Sequence, residues 1–434
     1  MQTTAEPAGD AGLERAIRRA RGRLIPFLLL MYLLAFLDRA NIGFAKAAFQ
    51  ASAGISDAAY ALGAGLFFLT YAAFEVPSNL ILHRVGARLW LSRIMVTWGL
   101  VSAAMCLADG PVAFYVLRLL LGAAEAGFFP GVILYLTYWF PNAARGRVLG
   151  LFYFGAPLAF IVGGPLSGLL LDLHGMAGLE GWQWMFLVEG LLASVVGVWA
   201  FFYLQDRPAD ARWLAPDDRA ALETAMAAEA KDKDSHGVVR FARVVTDPWM
   251  ARFVAIYFLI QVSVYGLTFY LPSQVARLLG EAVGLKVGLV TAIPWICAIV
   301  ATLTLTRMGD RTGARRGLAA GALLASAAGI AVSAQSPPLL ALAALCVAAS
   351  GFIAVQPLFW TFPTAYLGGV AAAGGIALIN ATGALGGFVA PNVKTWADGH
   401  FGSPAAGLYL LAATTAVGAL LILGLRRPRA AGPL

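Results

Sequence analysis

Predominantly apolar runs of about twenty residues recur along this chain, and they constrain its fold more than any other feature. A bilayer core about 30 Å thick is crossed by a helix of roughly 20 apolar residues. Runs of that kind can be placed at 24–48, 59–82, 90–108, 112–139, 148–172, 184–204, 249–277, 284–305, 317–335, 338–363, 368–394 and 404–425. Too little polar sequence is left to cover a water-soluble core, since 60% of the 434 residues are hydrophobic and only 12% charged. Lipid offers no partners to an open backbone, so each run is predicted to be a helix. The expected class is an all-α membrane protein with twelve transmembrane helices. The 48 glycines and 21 prolines suit such a bundle, where small residues permit close helix contacts and prolines permit hinges.

Lysine and arginine collect in the loops that stay cytoplasmic. If the N-terminus lies inside, the inner segments gather Arg15, Arg18, Arg19, Arg21 and Arg23, then Arg84, Arg88 and Arg93, then Arg145 and Arg147, then Arg307, Arg311, Arg315 and Arg316, and finally Arg426, Arg427 and Arg429. The outer loops hold little beyond Arg277, Lys286 and Lys394. Both termini are therefore expected in the cytoplasm. This bias accounts for the net charge of +8, so no nucleic-acid partner is implied. The first run contains Asp38 and Arg39 and reads as an uncleaved span, not a signal peptide. Cys106, Cys297 and Cys346 are scattered in apolar runs without metal-ligand spacing and read as small packing residues.

The longest polar stretch divides six runs from six. The expected organisation is a cytoplasmic N-terminal segment (1–23), a six-helix bundle (24–204), a partly helical cytoplasmic middle loop (205–248), a second six-helix bundle (249–425) and a cytoplasmic tail (426–434). An Arg-x-Gly-x-Arg core recurs at equal positions in the two halves, as Arg84-Val85-Gly86-Ala87-Arg88 and as Arg311-Thr312-Gly313-Ala314-Arg315. Duplicated six-helix halves with a site between them at the midplane form one standard transporter architecture. Read more plainly, both loops are positive anchors at the inner face.

Charges inside the runs carry the functional signal, because each costs about 2.5–3.5 kcal/mol at a helix centre unless it is paired or lines a wet cavity. The clearest are Asp38 and Arg39 in the first run and Arg118 and Glu125 in the fourth. Arg118 and Glu125, seven residues apart, share one helix face, whereas the adjacent Asp38 and Arg39 point about 100° apart. Arg39 is assigned to the substrate and Asp38 to the proton; the competing reading is a buried ion network that only fixes helix packing. Glu75, before Pro77, is expected at a gate or in a structural role, and Glu189, behind Trp182, Trp184 and Phe186, in a structural one. The second half offers neutral groups instead, namely Gln261, Tyr265, Gln356, Trp360 and Asn380. Each of these serves equally well as a ligand contact or a helix-helix hydrogen bond.

The repeated loops resemble the Gly-x-Leu-Ala-Asp-Arg-x-Gly-Arg-Arg motif of the major facilitator superfamily. The copy beginning at Asp310-Arg311 is the better preserved, since Asn79 and His83 replace the glycine and the aspartate of the first. A closer resemblance is carried by Leu37-Asp38-Arg39-Ala40-Asn41-Ile42, by Tyr71 with Glu75-Val76-Pro77-Ser78-Asn79, by Arg118-x3-Gly122-x2-Glu125-x4-Pro130-Gly131, by Tyr138-Trp139-Phe140-Pro141 with Arg145, and by Ile376-Ala377-Leu378-Ile379-Asn380. These segments look like the anion:cation symporter family, with bacterial permeases for tartrate, phthalate, sugar acids and 4-hydroxyphenylacetate. The resemblance implies two pseudo-symmetric bundles and proton-coupled uptake of a carboxylate. By motif position it implies proton-coupling roles for Asp38, Arg118 and Glu125, and substrate contacts for Arg39, Tyr71, Trp360 and Asn380; Tyr265 and Gln356 join the expected substrate set. A cytoplasmic gate is expected from Glu75, Arg84, Arg88, Arg145, Asp310, Arg311 and Arg315.

The expected protein is thus a monomeric importer in a bacterial inner membrane, with a small organic anion as substrate, protons as coupling ion and no cofactor or metal. An exchanger or efflux carrier of the same fold, hinted at by Gly163-Gly164-Pro165-Leu166-Ser167-Gly168, and a non-transporting sensor stay open. No nucleophile-base pair, metal spacing or nucleotide loop supports an enzyme.

Overall fold

The computed structural model describes residues 8–234, 247–366 and 369–425. Among them twelve helical spans are long and apolar enough to cross a membrane. Spans 1 to 6 are Ala11–Ala53, Asp57–Val85, Ala87–Leu107, Pro111–Trp139, Ala144–Leu171 and Gly181–Tyr203. Spans 7 to 12 are Pro248–Leu279, Leu285–Thr312, Arg315–Ser333, Pro338–Thr364, Gly375–His400 and Pro404–Leu423. The expected number and positions hold, with ends moved by a few residues because polar and charged residues continue a helix past the point where apolar content falls. The first helix shows this most, beginning at Ala8 and running through the arginine-rich segment into span 1. The arginines at 426, 427 and 429 lie outside the described residues.

Large apolar side chains on the outside of the bundle, such as Leu80, Val195, Phe202 and Leu339, are more than half exposed. In water a surface of this kind would associate; against lipid tails it is ordinary solvent contact. Several spans are broken, as in transporters that place unwound backbone beside a cavity. Span 4 interrupts at Ala126 and Gly127, where Gly127 takes φ +85° and restarts the helix at Phe128. That left-handed turn suits glycine, and it leaves Glu125 as the last residue of the upper segment. Span 7 breaks between Thr268 and Leu271, and span 11 at Leu385.

The two halves meet along span 5 against span 8 and span 2 against span 11. Between spans 6 and 7 the linker carries a helix at Pro216–Asp234 that docks on the first half. Arg15 and Arg19 reach Asp218 at 3.1 and 3.4 Å, and Arg145 reaches Glu229 at 3.0 Å. We call the side of the bundle bearing this helix the linker face. Tyr366, past the end of span 10, donates to Asp247 at 2.6 Å, and burial together with that carboxylate pushes its hydroxyl up to about 12.

On the far face the halves are in tight contact. Gly164 of span 5 and Gly288 of span 8 approach so closely that a Cβ at Gly164 would stand 2.6 Å from the Gly288 carbonyl oxygen. The backbone N–H of Leu285 donates to Asp172 at 3.0 Å, and Asn392 donates to the Ala61 carbonyl at 3.4 Å. The Gly163–Gly168 cluster therefore serves here as a contact surface between halves, which its small residues allow.

Candidate functional site: a central cavity walled by both halves

Between the halves lies a cavity of about 520 Å³, a size suited to a small ligand. It extends towards the linker face, where Arg147 and Thr306 line it, and the far-face contacts close its other end. All six residues expected to touch substrate line it: Arg39 and Tyr71 from the first half, and Tyr265, Gln356, Trp360 and Asn380 from the second. Helical spacing explains how distant residues converge. On span 7, Tyr257, Gln261 and Tyr265 recur every four residues, which puts all three on one face and into the wall. Tyr257 and Tyr32 are lining residues that the sequence reading did not single out. Tyr257 was findable from that polar stripe, whereas Tyr32 lies among apolar neighbours between Leu24 and Leu37, before the charges of the same run.

Arg39 is the cationic centre of the wall. Its Nε and Nη2 donate to Oε1 of Glu125 at 2.9 and 2.5 Å, and Nη1 donates to the Tyr265 hydroxyl at 3.3 Å. The guanidinium also lies 4.8 Å from the centre of the Tyr71 ring, a favourable cation–π position. One guanidinium thus joins a carboxylate of span 4 to a tyrosine of span 7 in the opposite half. Arg39 is 11% exposed through its side chain and Glu125 0%, so this is a buried ion pair with one edge on the cavity. The second oxygen of Glu125 is buried without a partner.

The other charges stand behind the wall. Asp38 accepts at Oδ1 from the Ser102 hydroxyl and, at 3.4 Å, from Asn41, while its Oδ2 is buried and unpartnered. Arg118 differs from the expected exchange of arginines between acids, because its Nε and Nη2 donate to the carbonyls of Gly63 and Ala64 at 3.3 and 3.0 Å and no carboxylate among the described residues pairs with it. The reason is local: both carbonyls face span 4 where span 2 packs closely, and they take two of the five guanidinium donors.

The residues expected at a gate divide. Glu75 accepts from Asn380 of the opposite half at 2.9 Å and keeps its second oxygen buried and unpartnered, so it spans the two bundles beside the cavity. The loop residues make local contacts. Arg145 pairs with the linker helix, Arg315 with Asp310 at 2.8 Å, and Arg88 stacks 4.5 Å over Phe201. Arg84 and Arg311 are exposed. Asp206, from the start of the linker, accepts from the backbone N–H of Arg88 at 2.8 Å and supplies a carboxylate to the loop in which His83 stands where the motif has aspartate. Lys394, expected in an outer loop, is instead buried in span 11, where it pairs with Asp398 at 2.6 Å.

Comparison with known proteins agrees with this architecture. The family described as Major Facilitator Superfamily matches residues 28–391. The chain is 49% identical over 414 residues to the inner membrane transport protein RhmT of Escherichia coli, covering 95% of this chain and 96% of that one. It is 44% identical over 416 residues to a putative tartrate transporter of Agrobacterium vitis (95% of each), and 40% over 406 residues to a quinolone resistance transporter of Acinetobacter baumannii (93% of each). Its backbone is similar to the partially occluded inward-open xylose transporter XylE of E. coli, with TM-score 0.76 at 14% identity over 96% of this chain and 100% of that one; at that identity the likeness concerns the fold alone. A cavity between two six-span halves and a family match over most of the sequence lead to one conclusion: the chain belongs to the major facilitator superfamily and is a membrane transporter, not an enzyme.

Proposed function

We propose that this transporter imports a small organic anion, a carboxylate such as tartrate, a sugar acid or an aromatic acid, by proton symport with alternating access. It works as a monomer in a bacterial inner membrane, with its linker face in the cytoplasm, protons as the coupling ion and no cofactor. The supporting observation is the pairing of Arg39 with Glu125. A substrate carboxylate entering the cavity competes with Glu125 for the guanidinium of Arg39 on the wall. When Glu125 takes a proton it gives up its claim on Arg39, and the anion replaces it through charge-assisted hydrogen bonds. Each event favours the other, so binding and protonation are thermodynamically linked. The loaded centre carries no excess charge and can rock between faces, whereas a site holding only the anion or only the proton is penalised. Asp38 is the second proton-carrying acid. A univalent anion with one proton moves no net charge, and a second proton adds about 2.3 kcal/mol of driving force per 100 mV.

The distribution of charge supports the orientation. On the far face the cations Lys46, Lys286 and Lys394 are each paired with an acid. The test uses purified protein in proteoliposomes with labelled tartrate. Glu125→Gln is expected to abolish uptake driven by a pH gradient while retaining exchange of substrate for substrate. Gradient-driven uptake equal to that of the unmodified protein would remove Glu125 from coupling. A second reading, an exporter or exchanger, is favoured by the relative named for quinolone resistance. Net efflux under an inward proton gradient, with no accumulation of carboxylate, would select it.

A further inference from the structure

Beside the cavity the carboxyl of Glu75 on span 2 meets the amide of Asn380 on span 11, a contact between the halves that the proton exchange above does not use. Glu75 follows the wall residue Tyr71 by one turn, so helical spacing puts both on one face of span 2. Two turns nearer the far face the same spans press together: a Cβ at Gly387 would stand 2.5 Å from the ring of Phe68. That packing holds Glu75 against Asn380 and leaves it 4% exposed. Its Oε1 accepts from Nδ2 of Asn380 at 2.9 Å, and its Oε2 is buried without a partner. Asn79, one turn further on, spends its own amide N–H on the main-chain carbonyl of Glu75 at 3.0 Å, so Asn380 is the donor that the carboxyl holds.

An asparagine amide has a donor end and an acceptor end. With Nδ2 committed to Glu75, the end of Asn380 left for the cavity it lines is Oδ1, to which no described residue donates and which is not among the sealed, unpartnered atoms. Free on a cavity wall, the amide could turn either end inward; bonded to Glu75, it is held with the acceptor inward. Oε1 accepts in both protonation states of the carboxyl, so this orientation does not depend on a proton. Arg39, from the first half, has donors only. The two halves therefore offer opposite polarity: a guanidinium that suits carboxylate oxygens, and an amide oxygen that suits a hydroxyl.

We propose that Glu75 is a positioning residue for substrate selection: by holding Nδ2 of Asn380 it presents Oδ1 to the cavity as an acceptor, and the site prefers a hydroxy acid whose carboxylate goes to Arg39 and whose hydroxyl goes to Asn380. The inference rests on the carboxylate reading above and narrows it to acids that carry a hydroxyl; it is independent of proton coupling.

Two measurements test it. Purified protein is titrated with tartrate and with succinate, which has the same chain and the same two carboxylates but no hydroxyl, and binding is read as thermal stabilisation. The unmodified protein is expected to bind tartrate about three- to tenfold more tightly, the worth of one hydrogen bond. Glu75→Leu frees the amide to turn and is expected to erase that preference, with both diacids still bound; a merely structural defect would weaken the two alike. No preference in the unmodified protein, or a preference unchanged in Glu75→Leu, would overturn the proposal. If Glu75→Leu does not fold, the unbranched Glu75→Met must give the same loss of preference. The second measurement needs no ligand. Asn380→Asp sets acceptor against acceptor and is expected to lower the thermal transition at pH 8 by about 3–6 °C. Adding Glu75→Gln supplies a donor from span 2 and is expected to recover most of that loss. A transition unmoved in Asn380→Asp, or no recovery in the double variant, would overturn the pairing. Failure of the import reading would appear separately, as no uptake by the unmodified protein in proteoliposomes with the tartrate preference and the recovery both intact.

Discussion

Replacing Arg39 with alanine probes the central pair through stability, independently of substrate. Exposed ion pairs contribute about 0.2–1 kcal/mol, but with side-chain exposures of 11% and 0% Arg39 and Glu125 belong to the buried kind. Removing one member of a buried pair costs about 3–5 kcal/mol, because the survivor is left as an unpaired charge. Arg39→Ala is therefore expected to lower the thermal transition in detergent by on the order of 5–10 °C at pH 8, since about 1 kcal/mol shifts domains of 150–250 residues by 2–4 °C and this chain is larger. The stranded Glu125 can escape the penalty by taking a proton, so the loss shrinks when the measurement is repeated at pH 5.5. The double variant Arg39→Ala with Glu125→Gln removes the charge altogether and is expected to recover most of the loss at pH 8. This strong non-additivity is the signature of direct coupling. If the double variant is less stable than the unmodified protein by the sum of the two single losses, or if the loss does not depend on pH, the charge of Glu125 is not held by Arg39 and the exchange mechanism loses its physical basis.

Tyr265→Phe removes one hydrogen bond to Arg39 at 3.3 Å while leaving the ring in the wall. One such bond is worth about 0.5–1.5 kcal/mol, so KM for the carboxylate is expected to change by no more than about tenfold, with gradient coupling retained; loss of coupling would show that the hydroxyl belongs to the proton path. At the far face, Gly164→Leu places a branched side chain where the Gly288 carbonyl stands. That variant is expected to prevent closure of the far face, abolish exchange and raise the labelling of a cysteine introduced at Asn392 from that side; unchanged labelling would mean that spans 5 and 8 do not form the barrier.

How far the sequence could be read depended on the range of the interaction. Hydropathy and charge act over one helix, so the twelve spans, the division into halves and the buried status of Asp38, Arg118 and Glu125 follow from runs of residue types that lipid and water select directly. The cavity wall was also largely legible, because a polar group in an apolar span must face either another helix or water. Choice of partner was not. Arg39 and Arg118 look equivalent along the chain, yet one holds Glu125 and the other two backbone carbonyls of span 2. The difference arises from how closely spans 2 and 4 approach.

By itself, then, the sequence determined a twelve-span bundle of the major facilitator kind with charges buried near its centre. Tertiary structure alone decided that Arg39 reaches the cavity, that Glu75 bonds across the halves to Asn380, and that Lys394 is buried in span 11. Each of these depends on side chains from helices tens to hundreds of residues apart. Their separations are set when whole spans pack, and no local pattern of hydropathy encodes that distance.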